Sequence, residues 1–99
     1  MHKSDANAAA IVATLRKYGC SVEYIASPFG RAGVPDLLVG RKGITHLLEV
    51  KTPKRDPRGR QIDSDLSDSQ INWHLAWRGK TVTIVTNSEE ALQAVGVVL

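Results

Sequence analysis

Two apolar runs, Val34 to Val39 and Ile44 to Val50, are separated by the turn-prone residues Gly40-Arg41-Lys42-Gly43. Their length and β-branched content predict two strands closed into a hairpin. Both faces of the pair are mainly apolar, with Ile44, Leu48 and Val50 on one side and Leu47 on the other. Strands of that kind need cover on both faces, so the hairpin is predicted to be central in a sheet with helices above and below.

The flanking sequence supplies those helices. Ala8, Ile11, Val12, Leu15 and Tyr18 recur at helical spacing, Ser4 or Asp5 can cap the start, and Gly19 follows the end, which predicts a helix over 5–18. Ser21 to Ala26 reads as a strand. Residues 52–66 are polar, basic and interrupted by Pro53, Pro57 and Gly59, as expected of a long flexible loop. Ser67-Asp68-Ser69-Gln70 has the form of a capping box, opening a second helix that Gly79 ends. Thr81 to Val85 is a further strand, and Asn87-Ser88-Glu89-Glu90 starts a third helix with an acidic first turn. The order is αβββαβα: an α/β fold with a mixed central sheet flanked by helices.

A chain of 99 residues, 42% of them hydrophobic, can bury one core, so a single domain over 1–99 is expected. No run approaches the roughly 18 apolar residues of a membrane span, and Met1-His2-Lys3 begins no apolar signal block, so an intracellular, cytoplasmic protein is expected. The lone Cys20 excludes an intrachain disulfide and reads as a small buried hydrophobe. A net charge of +3 leans only mildly towards polyanions, so the placement of the charges matters more than their sum.

That placement is informative at the end of the second central strand. Glu49 and Lys51 are two residues apart, so they leave the strand on one face while Val50 leaves on the other. The hairpin puts Asp36 opposite a position between Leu47 and Glu49. Asp36 and Glu49 share a face only if paired residue numbers sum to an odd value, and a slip of one residue would separate them. The two carboxylates and the backbone carbonyl of Val50 form a set of hard oxygen ligands suited to Mg²⁺ or Mn²⁺. Such an ion activates water and screens the charge that builds on a phosphodiester in its transition state. Lys51 beside it either orients the water or stabilises the developing charge. A plain Glu49–Lys51 salt bridge would also reconcile two charges with a covered strand.

The strand opens into the most basic segment of the chain, where Lys54, Arg55, Arg58 and Arg60 face a single acid, Asp56. Phosphate contact and simple solvation both account for such a run. Arg31, Arg41 and Lys42 are secondary candidates. Trp73 and Trp77 share one side of the second helix, where core or dimer packing is the expectation and base stacking the alternative. His2, His46 and His74 have no metal-ligand spacing. None is expected in the catalytic set, and His46 reads as a structural strand residue.

Three segments, Gly33-Val34-Pro35-Asp36-Leu37-Leu38-Val39-Gly40, Leu48-Glu49-Val50-Lys51-Thr52-Pro53 and Leu66-Ser67-Asp68-Ser69-Gln70, together resemble the VRR-NUC branch of the PD-(D/E)XK nuclease superfamily. The resemblance spans nearly the whole chain and is to the small standalone type found in phages and bacteria. It implies a restriction-endonuclease-like core, dependence on Mg²⁺ or Mn²⁺, and phosphodiester hydrolysis on DNA, often branched DNA such as four-way (Holliday) junctions. It further implies that Asp36 and Glu49 are metal ligands, Lys51 the catalytic lysine, and Gln70 a catalytic glutamine, although capping alone would also explain Gln70. The family commonly places an acid in the first helix. This chain has Ala8-Ala9-Ala10 there, leaving Asp5 or Glu23 as substitutes. Cutting two opposed strands needs two sites, so a homodimer is expected of an endonuclease this small. A catalytically silent nucleic-acid-binding module with the same fold is the alternative.

Overall fold

The computed structural model describes residues 4–62 and 66–99, without the side chains of residues 4–6, 54, 55, 61 and 62. Its elements run α1 (Ser4–Lys17), β1 (Ser21–Tyr24), β2 (Leu37–Arg41), β3 (Ile44–Val50), β4 (Lys54–Arg55), β5 (Gln61–Ile62), α2 (Asp68–Ala76), β6 (Thr83–Val85) and α3 (Ser88–Ala94). The main sheet has the strand order β1-β2-β3-β6, so the hairpin strands are central as expected. Strands β1, β2 and β3 are antiparallel neighbours, whereas β6 lies parallel to β3. A parallel pair needs a long crossover, which the segment carrying α2 provides.

The turn of the hairpin is shorter than its sequence suggests. Gly40 and Arg41 remain paired in β2, and only Lys42 and Gly43 turn the chain, both with positive φ (49° and 79°). Two residues of that conformation match the right-handed twist of the flanking strands. The strand also begins later than expected, at Leu37 rather than Val34, because Pro35 has no N–H to give to a ladder. Asp36 therefore sits just outside β2, where its carbonyl still accepts the Ile25 N–H (2.9 Å).

The two faces of the sheet differ. On one, Ile11, Val12 and Leu15 of α1 and Ala91, Leu92 and Val95 of α3 enclose Val22, Leu37, Val39, Leu48, Val50 and Val85 in a continuous core that also holds Cys20. Ile44, expected to point inward with Leu48 and Val50, is instead exposed at the turn, and in that row the burial begins at His46. A Thr14–Ser88 hydroxyl pair (3.1 Å) ties α1 to α3. Among the described residues the opposite face is covered by α2, none of whose residues is completely buried.

Two expectations need correction here. Residues 52–66 are not wholly irregular, since β4 and β5 pair as a small antiparallel ribbon. Helix α2 also stops at Ala76, before Gly79, because Trp77 turns to an extended conformation (ψ 127°) while its N–H still bonds the Trp73 carbonyl. Among the described residues no helix is long and apolar enough to cross a membrane.

Candidate active site

The odd-sum condition on the hairpin is met, because Leu37 faces Leu48 and Leu38 faces Leu47. Continuing that register one step sets Asp36 opposite Glu49, on the face that α2 covers. The Asp36 Oδ2 accepts the Val50 N–H (2.8 Å), which anchors the carboxylate across the end of the pair. A strand residue presents its N–H and C=O to the same side. The Val50 carbonyl thus leaves the strand towards Asp36.

Glu49 is almost completely enclosed, 1% exposed. Burial first, and then a hydrogen bond to Asp36 and that group's charge, push its carboxyl up to about 9 against the opposing pull of Lys51. The pair is a carboxylate dyad that a proton can bridge, rather than a simple Glu49–Lys51 salt bridge. The Lys51 ammonium is bound instead to the Gln70 Oε1 (2.8 Å).

Gln70 caps α2 and also reaches the side chains of Lys51 and Glu49. Its Oε1 also accepts the Ser67 N–H (2.9 Å), while the Gln70 N–H donates to the Ser67 hydroxyl (3.2 Å), completing the capping box. Two donors on Oε1 fix the orientation of the amide, and the Nε2 that remains donates to the Glu49 Oε2 (3.3 Å). One side chain thus caps α2, holds the lysine and touches the buried acid.

Two neighbours had not been expected in the site. Asn7 of α1 donates from Nδ2 to the Lys51 carbonyl (3.1 Å). Its signal was a polar residue one turn before Ile11, on the apolar stripe of the helix. His74 lies one turn after Gln70, with Nε2 3.6 Å from the Glu49 Oε1. Burial, and then Lys51, lower the pKa of His74 below its ordinary value, which favours the neutral imidazole. The sequence signal was the spacing of four from Gln70. Of the two substitutes for a helix acid, Glu23 is exposed on β1 opposite Leu38, and the Asp5 side chain lies outside the described residues.

The site fits a hard divalent cation in one specific respect: the Glu49 Oε1 is buried and has no hydrogen-bond partner among the described residues. Asp36 and Glu49 would hold the ion, with the Val50 carbonyl alongside. Among the described residues no three His, Cys, Asp or Glu side chains form a cage, so water or substrate oxygens would fill the remaining positions.

The basic residues are less uniform than their sequence suggests. Arg60 pairs with Asp56 (2.7 Å), which also accepts the Arg58 and Arg60 N–H groups and so shapes the turn between β4 and β5. Arg58 and Arg31 are exposed. Arg41 donates to the Val95 carbonyl (3.2 Å) and braces α3. The side chains of Lys54 and Arg55 lie outside the described residues. Trp73 and Trp77 form no part of the core: their rings stack on each other (4.8 Å), with Trp73 half-buried and Trp77 46% exposed.

A hairpin that aligns an acid with Glu-X-Lys, followed by a crossover helix and a parallel strand, defines the restriction-endonuclease-like class of α/β fold. Within that class the chain has the VRR-NUC fold. A solved structure titled "VRR_NUC domain" superposes with a TM-score of 0.69 over 96% of each chain, at 22% sequence identity. No family model and no curated protein matches the sequence.

Proposed function

We propose that the chain is a divalent-metal-dependent endodeoxyribonuclease selective for branched DNA. The observation that carries this reading is the convergence of Asp36, Glu49 and Lys51 on one face, around a buried carboxylate oxygen with no partner among the described residues. The fold shared with a VRR_NUC domain supports the same reaction class.

Mg²⁺ or Mn²⁺ bound there would supply an activated water and neutralise charge on the scissile phosphate. The protein's own part is to position groups. The Val50 N–H fixes the Asp36 carboxylate, Gln70 Nε2 holds one oxygen of Glu49, and Gln70 Oε1 holds Lys51 beside the dyad. From there the ammonium can orient the attacking water or stabilise the negative charge of the transition state. Arg31 and Arg58, with Lys54, Arg55 and Arg60 along the ribbon, would bind phosphates flanking the cut in a salt-dependent, sequence-tolerant manner. Paired cuts in a four-way junction would require a homodimer.

The test is a cleavage panel of four-way junction, flap, splayed and linear DNA with Mg²⁺ and with Mn²⁺. Asp36→Ala and Lys51→Ala are expected to abolish metal-dependent products while leaving the circular dichroism of the fold intact. Undiminished cutting by both variants overturns the proposal. A second reading, a silent nucleic-acid-binding module, is favoured by one observation: α1 meets the site through Asn7, an amide that brings no charge. DNA binding with no products from any substrate in the panel would establish it.

A further inference from the structure

Two buried polar atoms in the site have no hydrogen-bond partner among the described residues and face one another: the Glu49 Oε1 and the His74 Nε2, 3.6 Å apart. Their side chains are 2% and 15% exposed, so neither atom is compensated by bulk solvent. The other Glu49 oxygen already receives the Gln70 Nε2. Gln70 and His74 are four residues apart in α2 and therefore occupy the same helix face, one turn above the other. The His74 ring is set edge-on against Trp73 (6.4 Å between centroids, 83° between planes), which limits its rotation.

We infer that His74 is a positioning residue for the metal site, its Nε2–H donating to one lone pair of the Glu49 Oε1 and leaving the other for the cation, so that α2 holds both oxygens of that carboxylate. The inference rests on the metal-dependent reading above and deepens it. The contact is long while Glu49 is turned towards Asp36. With Glu49 directed at a cation, the His74 Nε2–H is within reach of its Oε1 and would orient it. Outer hydrogen bonds of this kind fix the direction of a ligating group, and removing one typically weakens metal affinity about 10- to 100-fold.

The experiment is calorimetric titration of the DNA-free protein with Mn²⁺, comparing wild type, Glu49→Gln, His74→Phe and His74→Gln. Phenylalanine keeps the ring and removes the donor, whereas the glutamine amide nitrogen falls close to the place of Nε2. We expect His74→Phe to weaken Mn²⁺ binding by at least about 10-fold and His74→Gln to restore it to within about 3-fold of wild type. Wild-type affinity in His74→Phe, alongside lost binding in Glu49→Gln, overturns the role of His74 and leaves the metal site standing. No Mn²⁺ binding by the wild type overturns the metal site and this inference together. Because His74→Phe can also fail by misfolding, ¹⁵N spectra of wild-type imidazoles are recorded with and without Mg²⁺. A proton on Nε2 in both states is expected, and its absence from Nε2 in the Mg²⁺-loaded protein refutes the donor assignment.

Discussion

A carboxyl group held up to about 9, against an ordinary 4.5, makes Glu49 a reporter of the site's state. Between those two pH values the unfolded chain has released a proton that the folded protein keeps. The unfolded state therefore binds fewer protons, and stability falls as pH rises. The melting temperature of the metal-free protein is expected to decline between about pH 5 and about pH 9, and Glu49→Gln to flatten the decline. A wild-type melting temperature that is level across the window would refute it. The same proton competes with a cation for the carboxylate, so Mn²⁺ affinity should increase with pH and binding should acidify an unbuffered solution. Gln70→Ala tests the double use of that side chain. It removes half of the capping box, at a cost of about 1 kcal/mol in urea denaturation, and frees Lys51 at the same time. The acids and the lysine were legible in the sequence because strand alternation alone determines which residues share a face. His74 and Asn7 were not, because their roles depend on how α2 and α1 are rotated about their axes over the sheet. One histidine or asparagine on a helix carries no record of that rotation.

At the level of elements, the contact between the β1–β2 connection and α2 is governed by Gly33. It has φ 90°, and a Cβ there would run into the Ser69 carbonyl, 2.6 Å from its carbon. The backbone that leads into Asp36 therefore lies directly against the first turn of the helix that carries Gln70. Gly33→Ala combines a strained backbone with this clash and is expected to destabilise the fold by at least about 2 kcal/mol. It should also weaken Mn²⁺ binding, measurable in the same calorimetric titration. Lys42 presents the opposite case, an L-residue at φ 49° in open surroundings. Lys42→Asn supplies the favoured Asn-Gly turn and should raise stability by about 0.5–1 kcal/mol without affecting the site, as read from the urea midpoint. Element order could be read from apolar alternation, the odd register remained a condition that only the closed hairpin meets, and boundaries shifted where a local rule prevailed. Pro35 delayed β2, the extended backbone of Trp77 ended α2 early, and Asp56 turned part of an apparent loop into a ribbon through its bonds to Arg58 and Arg60.

Across the whole molecule, burial is concentrated on one face of the sheet. Ile11, Leu15, Leu37, Val39, Leu48 and Val85 are all sealed there, each worth about 1.5–3 kcal/mol, whereas α2 rests on half-exposed contacts. Local stability should follow that division. Hydrogen exchange is expected to release the amides of α2 before those of α1 and β3, and added Mg²⁺ to slow α2 selectively through Glu49 and Gln70. Equal protection of α1 and α2 in the metal-free protein would contradict this. The strand that carries Glu49 and Lys51 is thus held by the stable half, and the helix that brings Gln70 and His74 to it belongs to the weaker half.

The tight turn at Lys42-Gly43 has a genetic consequence. Hairpin loops of two, three and four residues all occur, so a codon inserted there would lengthen the loop and leave Asp36 opposite Glu49, because the buried row of Leu37, Val39, Leu48 and Val50 holds the register. A codon inserted within β3, between Ile44 and Glu49, would instead turn Glu49 to the other side of the sheet. Frame-preserving alleles should therefore divide by position, those in the turn retaining function and single-codon insertions in the strand behaving as nulls.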